Sequence, residues 1–160
     1  MREYEIGFKV RVYSVAELDA RDAELIDAAI RATETSYSPY SHFEVGAAIR
    51  LESGEIVVGS NQENASYPVG CCAERTALFW CGANRRDEVI EALAIAARTG
   101  GEFTGDVTGP CGMCRQALIE VEHKQGSPIR LLLYGTKGVH IVESIESIVP
   151  FSFYSDSLSL

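Results

Sequence analysis

The chain has 160 residues, 46% of them apolar, and a formal net charge of −9. That length suits one domain with one real hydrophobic core. The acidic balance argues against a nucleic-acid partner, because phosphate binding is led by Lys and Arg, but it leaves room for a small neutral substrate such as a nucleoside. No apolar run approaches the roughly 18 residues of a membrane span, and Met1-Arg-Glu-Tyr-Glu5 lacks the basic and apolar regions of a signal peptide. The expected compartment is the cytoplasm. There the cysteines stay reduced and read as ligands or core residues rather than disulfides.

Residues 4 to 12 alternate, with Tyr4, Ile6, Phe8, Val10 and Val12 on one side and Glu5, Gly7, Lys9 and Arg11 on the other, which predicts a half-buried strand. Ser14 and Glu17 have capping-box spacing, with Asp19 as a rival cap. A helix to about Thr35 follows, its apolar stripe formed by Leu18, Leu25, Ile26, Ala29 and Ile30. Pro39 in Tyr37-Ser-Pro-Tyr-Ser41 breaks it. Val45 to Leu51 and Glu55 to Gly59 are β-prone runs joined by a Ser-Gly turn, a hairpin pattern. Val89 to Ala97 and Leu131 to Tyr134 read as buried strands. Helices are expected from about Cys72 to Gly82, from about Cys111 to His123, and over a short stretch near Glu143 to Ile148. Gly100, Gly101, Gly105 and Gly109 mark one loop, and no linker or repeat divides the chain. Strands and helices alternate after residue 45, so helices should pack on a mixed sheet.

Chemistry concentrates in a split set of cysteines. Cys72 opens Cys-Ala-Glu-Arg75, and Cys111 and Cys114 stand in Pro110-Cys-Gly-Met-Cys-Arg-Gln116. Three thiolates leave one tetrahedral position of a zinc ion open for water, whereas a structural zinc has four protein ligands. The spacing of Cys111 and Cys114 at a helix start puts both on one face. Two helix N-termini aimed at the metal stabilise thiolates. Glu74, two residues after Cys72, sits near the metal without ligating it and suits proton transfer between water and a leaving amine. Arg75 suits hydrogen bonding to the ligand sulfurs, which offsets their excess negative charge. Cys71 competes with Cys72 for the metal on adjacency alone. Cys81 reads as a small core residue, and His42, His123 and His140 have no ligand spacing.

These residues, together with Tyr37-Ser-Pro-Tyr-Ser-His-Phe-Glu-Val-Gly-Ala-Ala48, Asn61-Gln-Glu-Asn-Ala-Ser-Tyr-Pro68 and Val149-Pro-Phe-Ser-Phe153, resemble the small homotetrameric zinc-dependent cytidine deaminases over about residues 25 to 153. The resemblance implies a three-layer α-β-α fold, a mixed five-stranded core sheet with helices on both faces, in a single domain over 1–160. Residues 1–20 would form an N-terminal extension with an extra strand, and 154–160 a tail. It implies one Zn²⁺ per subunit on Cys72, Cys111 and Cys114, with Cys72 chosen over Cys71 by register with the family motif, and Glu74 as the catalytic proton shuttle. It also implies that Phe43 packs on the pyrimidine, that Asn61 and Glu63 bind the ribose 3′-hydroxyl, and that the Ala73 backbone holds the pyrimidine edge. Tyr67 and Phe153 occupy positions through which neighbouring subunits complete each site.

The implied reaction is hydrolytic deamination of cytidine and 2′-deoxycytidine to uridine and 2′-deoxyuridine with release of ammonia, in pyrimidine salvage. The alternatives are a deaminase of another cytosine nucleoside of the blasticidin S type and a non-catalytic zinc-binding module. Asn61-x-Glu63 on a strand faces both side chains the same way and suits ordinary ribose, which counts against the first alternative. A nucleic-acid editor is disfavoured by charge and by the grip on the 3′-hydroxyl. Gly109 stands where the family usually has Ser, residues 98–109 differ from the usual loop, and residues 1–20 have no counterpart in the shortest members.

Overall fold

The computed structural model describes residues 1–154 and 158. Its centre is a strand buried on both faces. β4 (Ile90–Thr99) carries Leu93 and Ile95 on one side and Ala92, Ala94 and Ala96 on the other, all buried. A near-continuous apolar run of this kind marks a strand covered by helices above and below. Around it lie β2 (Phe43–Leu51), β3 (Ile56–Ser60), β6 (Arg130–Gly135) and β7 (Gly138–Val142), in the order β7-β6-β4-β2-β3. Only β4 and β6 pair in parallel; the other pairings in the sheet are antiparallel. These five strands are the expected mixed core. A short β1 (Arg11–Tyr13) is added beyond β7 and a two-residue β5 (Glu102–Phe103) pairs with the end of β4.

One face of the sheet is covered by α1 (Ala20–Ala32), whose Leu25, Ile26, Ala28 and Ala29 pack on Ala48, Ala92, Ala94 and Ala96. The small strand residues let α1 lie close. Gly46 shows how close, because a Cβ there would run into the backbone of Ala29, Ala32 and Thr33. The other face is covered by α2 (Ala73–Asn84) and α3 (Gly112–Gln125), packed on Ile49, Leu51, Leu93, Ile95 and Leu131. Cys81 is buried in this core, and burial raises its thiol pKa to about 11.

Several local expectations change. The strand expected over residues 4 to 12 forms only at Arg11–Tyr13, and residues 1–10 have no regular structure and stay exposed. Both rival caps are used. Ser14 and Glu17 close a capping box on a 3₁₀ turn at Val15–Glu17, and Asp19 caps α1 by accepting from the Asp22 N–H at 2.8 Å. The helix ends at Ala32 and a 3₁₀ turn carries the chain to Thr35. The short helix near residue 143 reduces to a 3₁₀ turn, Glu146–Ile148. β5 and β7 were not anticipated. Of the expected tail, residues 155–157 and 159–160 lie outside the described residues.

Three ties fix the elements that matter for the site. Gly126 ends α3 in the left-handed region at φ 67°, donating to the Glu122 and His123 carbonyls. Glu122, buried on α3, accepts from the N–H groups of Ile129, Ile145 and Glu146 and from the Ser144 hydroxyl, all within 2.7–2.9 Å. Arg130 at the start of β6 forks onto the buried Asp22 of α1 at 2.8 and 2.9 Å, locking helix to sheet with charge-assisted bonds.

Candidate active site

Cys72 and Cys111 occupy the N-cap positions of α2 and α3, each extended and without a side-chain capping bond. Cys114, one turn into α3, is fully buried. The sulfurs of Cys72 and Cys111 are 3.8 Å apart, those of Cys111 and Cys114 3.5 Å apart, and all three lie within 4.8 Å of one another. Two sulfurs about 2.3 Å from a tetrahedral zinc are separated by about 3.8 Å, so the donor set fits one zinc ion. Cys71 lies outside this cluster. Its backbone exchanges hydrogen bonds with Gln62, at 2.8 and 2.9 Å, which turns the next residue toward the helix start.

The charges of the cluster agree with a cation site. The Cys72 thiol is lowered to about 5, first by a hydrogen bond from the Cys114 thiol and also by Arg75, against the effect of burial. The Cys114 thiol is pushed up, first by that same bond and then by burial. Cys72 and Cys114 thus share one proton between their sulfurs, and a dication would hold both as thiolates. Arg75 Nη2 approaches Cys72 Sγ at 3.9 Å, while its Nε is buried without a partner among the described residues. Glu74, next along α2, is 5% exposed, and burial is the main cause that raises its carboxyl pKa. Ala73, the first residue of α2, is fully buried, and its N–H has no acceptor within the helix.

A cavity of about 680 Å³ opens beside the cluster, lined by Cys72 and Arg75 on one side and by Asn61, Glu63, Tyr40 and Tyr67 on the other. The Asn61–Glu63 segment leaves β3 and is held between two neighbours. Tyr37 exchanges backbone bonds with Asn61 and Glu63 at 3.0 and 2.8 Å, and Cys71 bonds Gln62 on the opposite edge. The Asn61 side chain is strongly committed, its Oδ1 accepting from Ser36 Oγ at 2.6 Å and Val45 N at 2.8 Å and its Nδ2 donating to the Phe43 carbonyl at 2.9 Å. One amide hydrogen remains for a ligand. Glu63 Oε2 accepts from the Tyr40 and Ser41 N–H groups at 2.9 and 3.3 Å. Its carboxyl is held below the ordinary range, first by the Ser41 hydroxyl and then by the Tyr40 N–H.

Phe43 sits half-buried at the start of β2, outside the residues that line this cavity. Tyr67 is 77% exposed at the cavity mouth and edge-on to Tyr40, with ring centroids 6.1 Å apart. Phe153 is also exposed and stands away from the cavity, its carbonyl accepting from Gln116 at 2.7 Å. Ser36, Tyr40 and Ser41, which set Asn61 and Glu63, were not singled out as site residues. They act through two hydroxyls and two backbone amides brought from a distant loop, and the signal for them was the irregular stretch from Ser36 through Pro39 to Ser41 itself.

The family model for the cytidine and deoxycytidylate deaminase zinc-binding region matches residues 19–126. A cytidine deaminase of Halalkalibacterium halodurans is 45% identical over 97 residues, covering 61% of this chain and 69% of its own length. One of Sporosarcina psychrophila is 37% identical over 136 residues, covering 85% of this chain and 93% of its own. The crystal structure of cytidine deaminase from Burkholderia pseudomallei superposes with a TM-score of 0.69 at 40% identity, covering 81% of this chain and 97% of that one.

Proposed function

This chain belongs to the cytidine and deoxycytidylate deaminase zinc-binding family, and on that premise we propose how it works as a cytidine deaminase. It converts cytidine and 2′-deoxycytidine, with one water, to uridine and 2′-deoxyuridine plus ammonia. The observation that carries this assignment is the meeting, in one cavity, of the edge of a three-thiol zinc site with a carboxylate–amide pair suited to a sugar hydroxyl.

Cys72, Cys111 and Cys114 hold the zinc, which when bound supplies Lewis acidity and lowers the pKa of water to about 7. Glu74 handles the protons. Its carboxylate takes one from the attacking water and gives it to the ring nitrogen next to C4, then takes the second from the new C4 hydroxyl and delivers it to the departing amino group as the C4–N bond breaks. Its burial keeps bulk water from scattering those protons. Arg75 donates to the ligand sulfurs and balances their charge. The Ala73 N–H, free of any helical acceptor, holds the pyrimidine edge, and Phe43 packs on the ring. Asn61 offers its last amide hydrogen and Glu63 its carboxylate to the ribose 3′-hydroxyl.

A single deaminase domain over 1–160, with 1–20 as an extension and 154–160 as a tail, belongs to the same proposal. So do pyrimidine salvage, a cytoplasmic location and a homotetramer whose subunits share sites through Tyr67 and Phe153. The exposure of those two rings, and of Phe79 and Trp80 on α2, supports subunit contact. No helix among the described residues is long and apolar enough to cross a membrane.

The test is the loss of cytidine ultraviolet absorbance on mixing with the protein. Turnover should stop with a zinc chelator and return with added zinc. Turnover of blasticidin S with none of cytidine would overturn the substrate assignment, and full activity of Glu74→Ala would overturn the role of Glu74.

A further inference from the structure

Residues 1–10 are a strand-patterned stretch without a pairing partner among the described residues. They are exposed and have no regular structure, yet neither Gly7 nor any other of these residues has a positive φ. Tyr4, Ile6, Phe8, Val10 and Val12, the whole apolar side of the alternation, are 43–75% exposed. The stretch runs directly into β1, which is the last strand of the sheet. One edge of β1 is pinned to β7 through Arg11–Ile141, Val12–His140 and Tyr13–Val139, and its other edge is open among the described residues. Arg11 is further anchored by an ion pair with Glu143. A pinned strand with an open edge and an extended apolar continuation is a template for pairing.

We propose that residues 3–11 of two copies of this chain pair antiparallel about a two-fold axis at Gly7, continuing the sheet from β7 through β1 into the second copy. The charge pattern selects this occupant. The polar side reads Glu3, Glu5, Gly7, Lys9, Arg11, that is, two acids, a glycine and two bases. Antiparallel pairing centred on Gly7 sets Glu5 of each copy opposite Lys9 of the other and Glu3 opposite Arg11, so every charge on that side meets its opposite. The apolar side then matches Tyr4 with Val10 and Ile6 with Phe8, which are favourable cross-strand pairs.

Other alignments do worse. Sliding by two residues in either direction keeps only one kind of ion pair and leaves the remaining charges opposite Gly7 and Met1 in one direction and opposite Gly7 and Tyr13 in the other. Sliding by one sets polar side chains against apolar ones. Parallel in-register pairing stacks Glu on Glu and Lys on Lys, which is destabilising. A surface that is self-complementary only when related by a dyad is the mark of an isologous contact. This contact depends neither on zinc nor on the deaminase assignment.

Hydrogen exchange of the full chain, read alongside sedimentation, tests it. At high protein concentration every second amide of residues 4–10, those that face the partner strand, should exchange at least about tenfold more slowly than their intrinsic rates and lose that protection on dilution. E5K and K9E, each alone, place like charges opposite one another and should abolish the protection, while the amides of β4 stay protected and report an intact fold. Mixing E5K with K9E brings opposite charges back into register and should restore protection together with the larger sedimenting species. Intrinsic exchange of residues 4–10 in the unmodified chain at every concentration would overturn the proposal. Protection that survives both reversals would overturn it too, by assigning the segment a different partner.

Discussion

The sulfurs of Cys72 and Cys111 lie 3.8 Å apart across a sequence separation of 39 residues. Each caps a helix on the same face of the sheet, so two positive helix ends converge where the thiols gather. The sheet makes this meeting possible. β3 delivers the chain to α2, and the hairpin of β4 and β5 delivers it to α3. Three sulfurs within 4.8 Å of one another, at two helix starts, suit one shared cation. A metal bound there would tie α2 to α3.

Removing zinc with a chelator should lower the thermal midpoint as well as stop turnover, because binding energy at such a site is also folding energy. Cys72→Ala, Cys111→Ala and Cys114→Ala should each fall from about one zinc per chain to a small fraction of that. Cys71→Ser should keep the metal, since its sulfur lies outside the cluster. Atomic absorption on the purified variants, paired with thermal melts, distinguishes these outcomes.

Glu74→Gln keeps the shape of the side chain and removes its ability to take a proton. Zinc content and the thermal midpoint should stay near those of the unmodified protein. The turnover number should fall by about 10²- to 10⁴-fold, the ordinary worth of a positioned acid–base group. Steady-state rates on cytidine, normalised to bound zinc, check this. A drop confined to KM would instead mark Glu74 as a binding residue.

The layered architecture was legible because its signals are local and strong: an apolar run for β4, a hairpin at Glu52-Ser-Gly-Glu55, and helix starts at the two cysteine motifs. β7 was legible in principle, because Gly135-Thr-Lys-Gly138 sets a two-residue turn between the apolar run of β6 and Val139 to Val142. β5 exists because Gly100 and Gly101 adopt positive φ and fold two residues back on β4. The alternation at residues 4 to 12 was real, but most of it finds no partner among the described residues. At the site, Cys71 and Cys72 were equivalent by adjacency, and only the Gln62–Cys71 bridge separates them physically. The amides of Tyr40 and Ser41 on Glu63 are a long-range backbone feature that no side-chain pattern announces.

The environment of Glu63 gives a pH dependence with a definite sign. Hydrogen bonds from Ser41 and Tyr40 hold its folded pKa below the unfolded value. Its ionised form, and whatever that form contributes to binding and stability, is therefore fully present above the ordinary carboxylate range and lost only as pH falls through the lowered folded value. Glu63→Gln should reduce kcat/KM for cytidine about ten- to a hundredfold, the worth of a charged hydrogen bond, and change it little for a 3′-deoxy nucleoside. The ratio of unmodified to variant kcat/KM on cytidine should hold constant down to about pH 5 and converge only at more acidic pH. Taking the ratio cancels any loss of zinc common to both proteins.

Gly59 tests the seat of α2. It lies on β3 under the first turns of α2, where an added Cβ would stand 2.6 Å from the Ala77 nitrogen and 2.7 Å from the Ala73 oxygen. Both are backbone atoms, so the clash cannot be relieved by a rotamer change. The first turn of α2 must move away from the sheet, and it carries Cys72, Ala73, Glu74 and Arg75. Gly59→Ala should cost about 1–3 kcal/mol or more in denaturant unfolding, the usual range for overpacking. Unlike an equally destabilising change remote from α2, it should also weaken zinc retention against a competing chelator. The comparison is Gly135→Ala, where the Cβ would meet the Gly105 oxygen at 2.7 Å, on the loop that follows β5. That variant should lose comparable stability while holding its metal nearly as well as the unmodified chain, because its clash bears on residues 105–107 and not on the helix start that carries Cys72. Equal zinc loss from the two variants would show that metal affinity follows global stability, and that the closeness of β3 to α2 has no special part in holding the site.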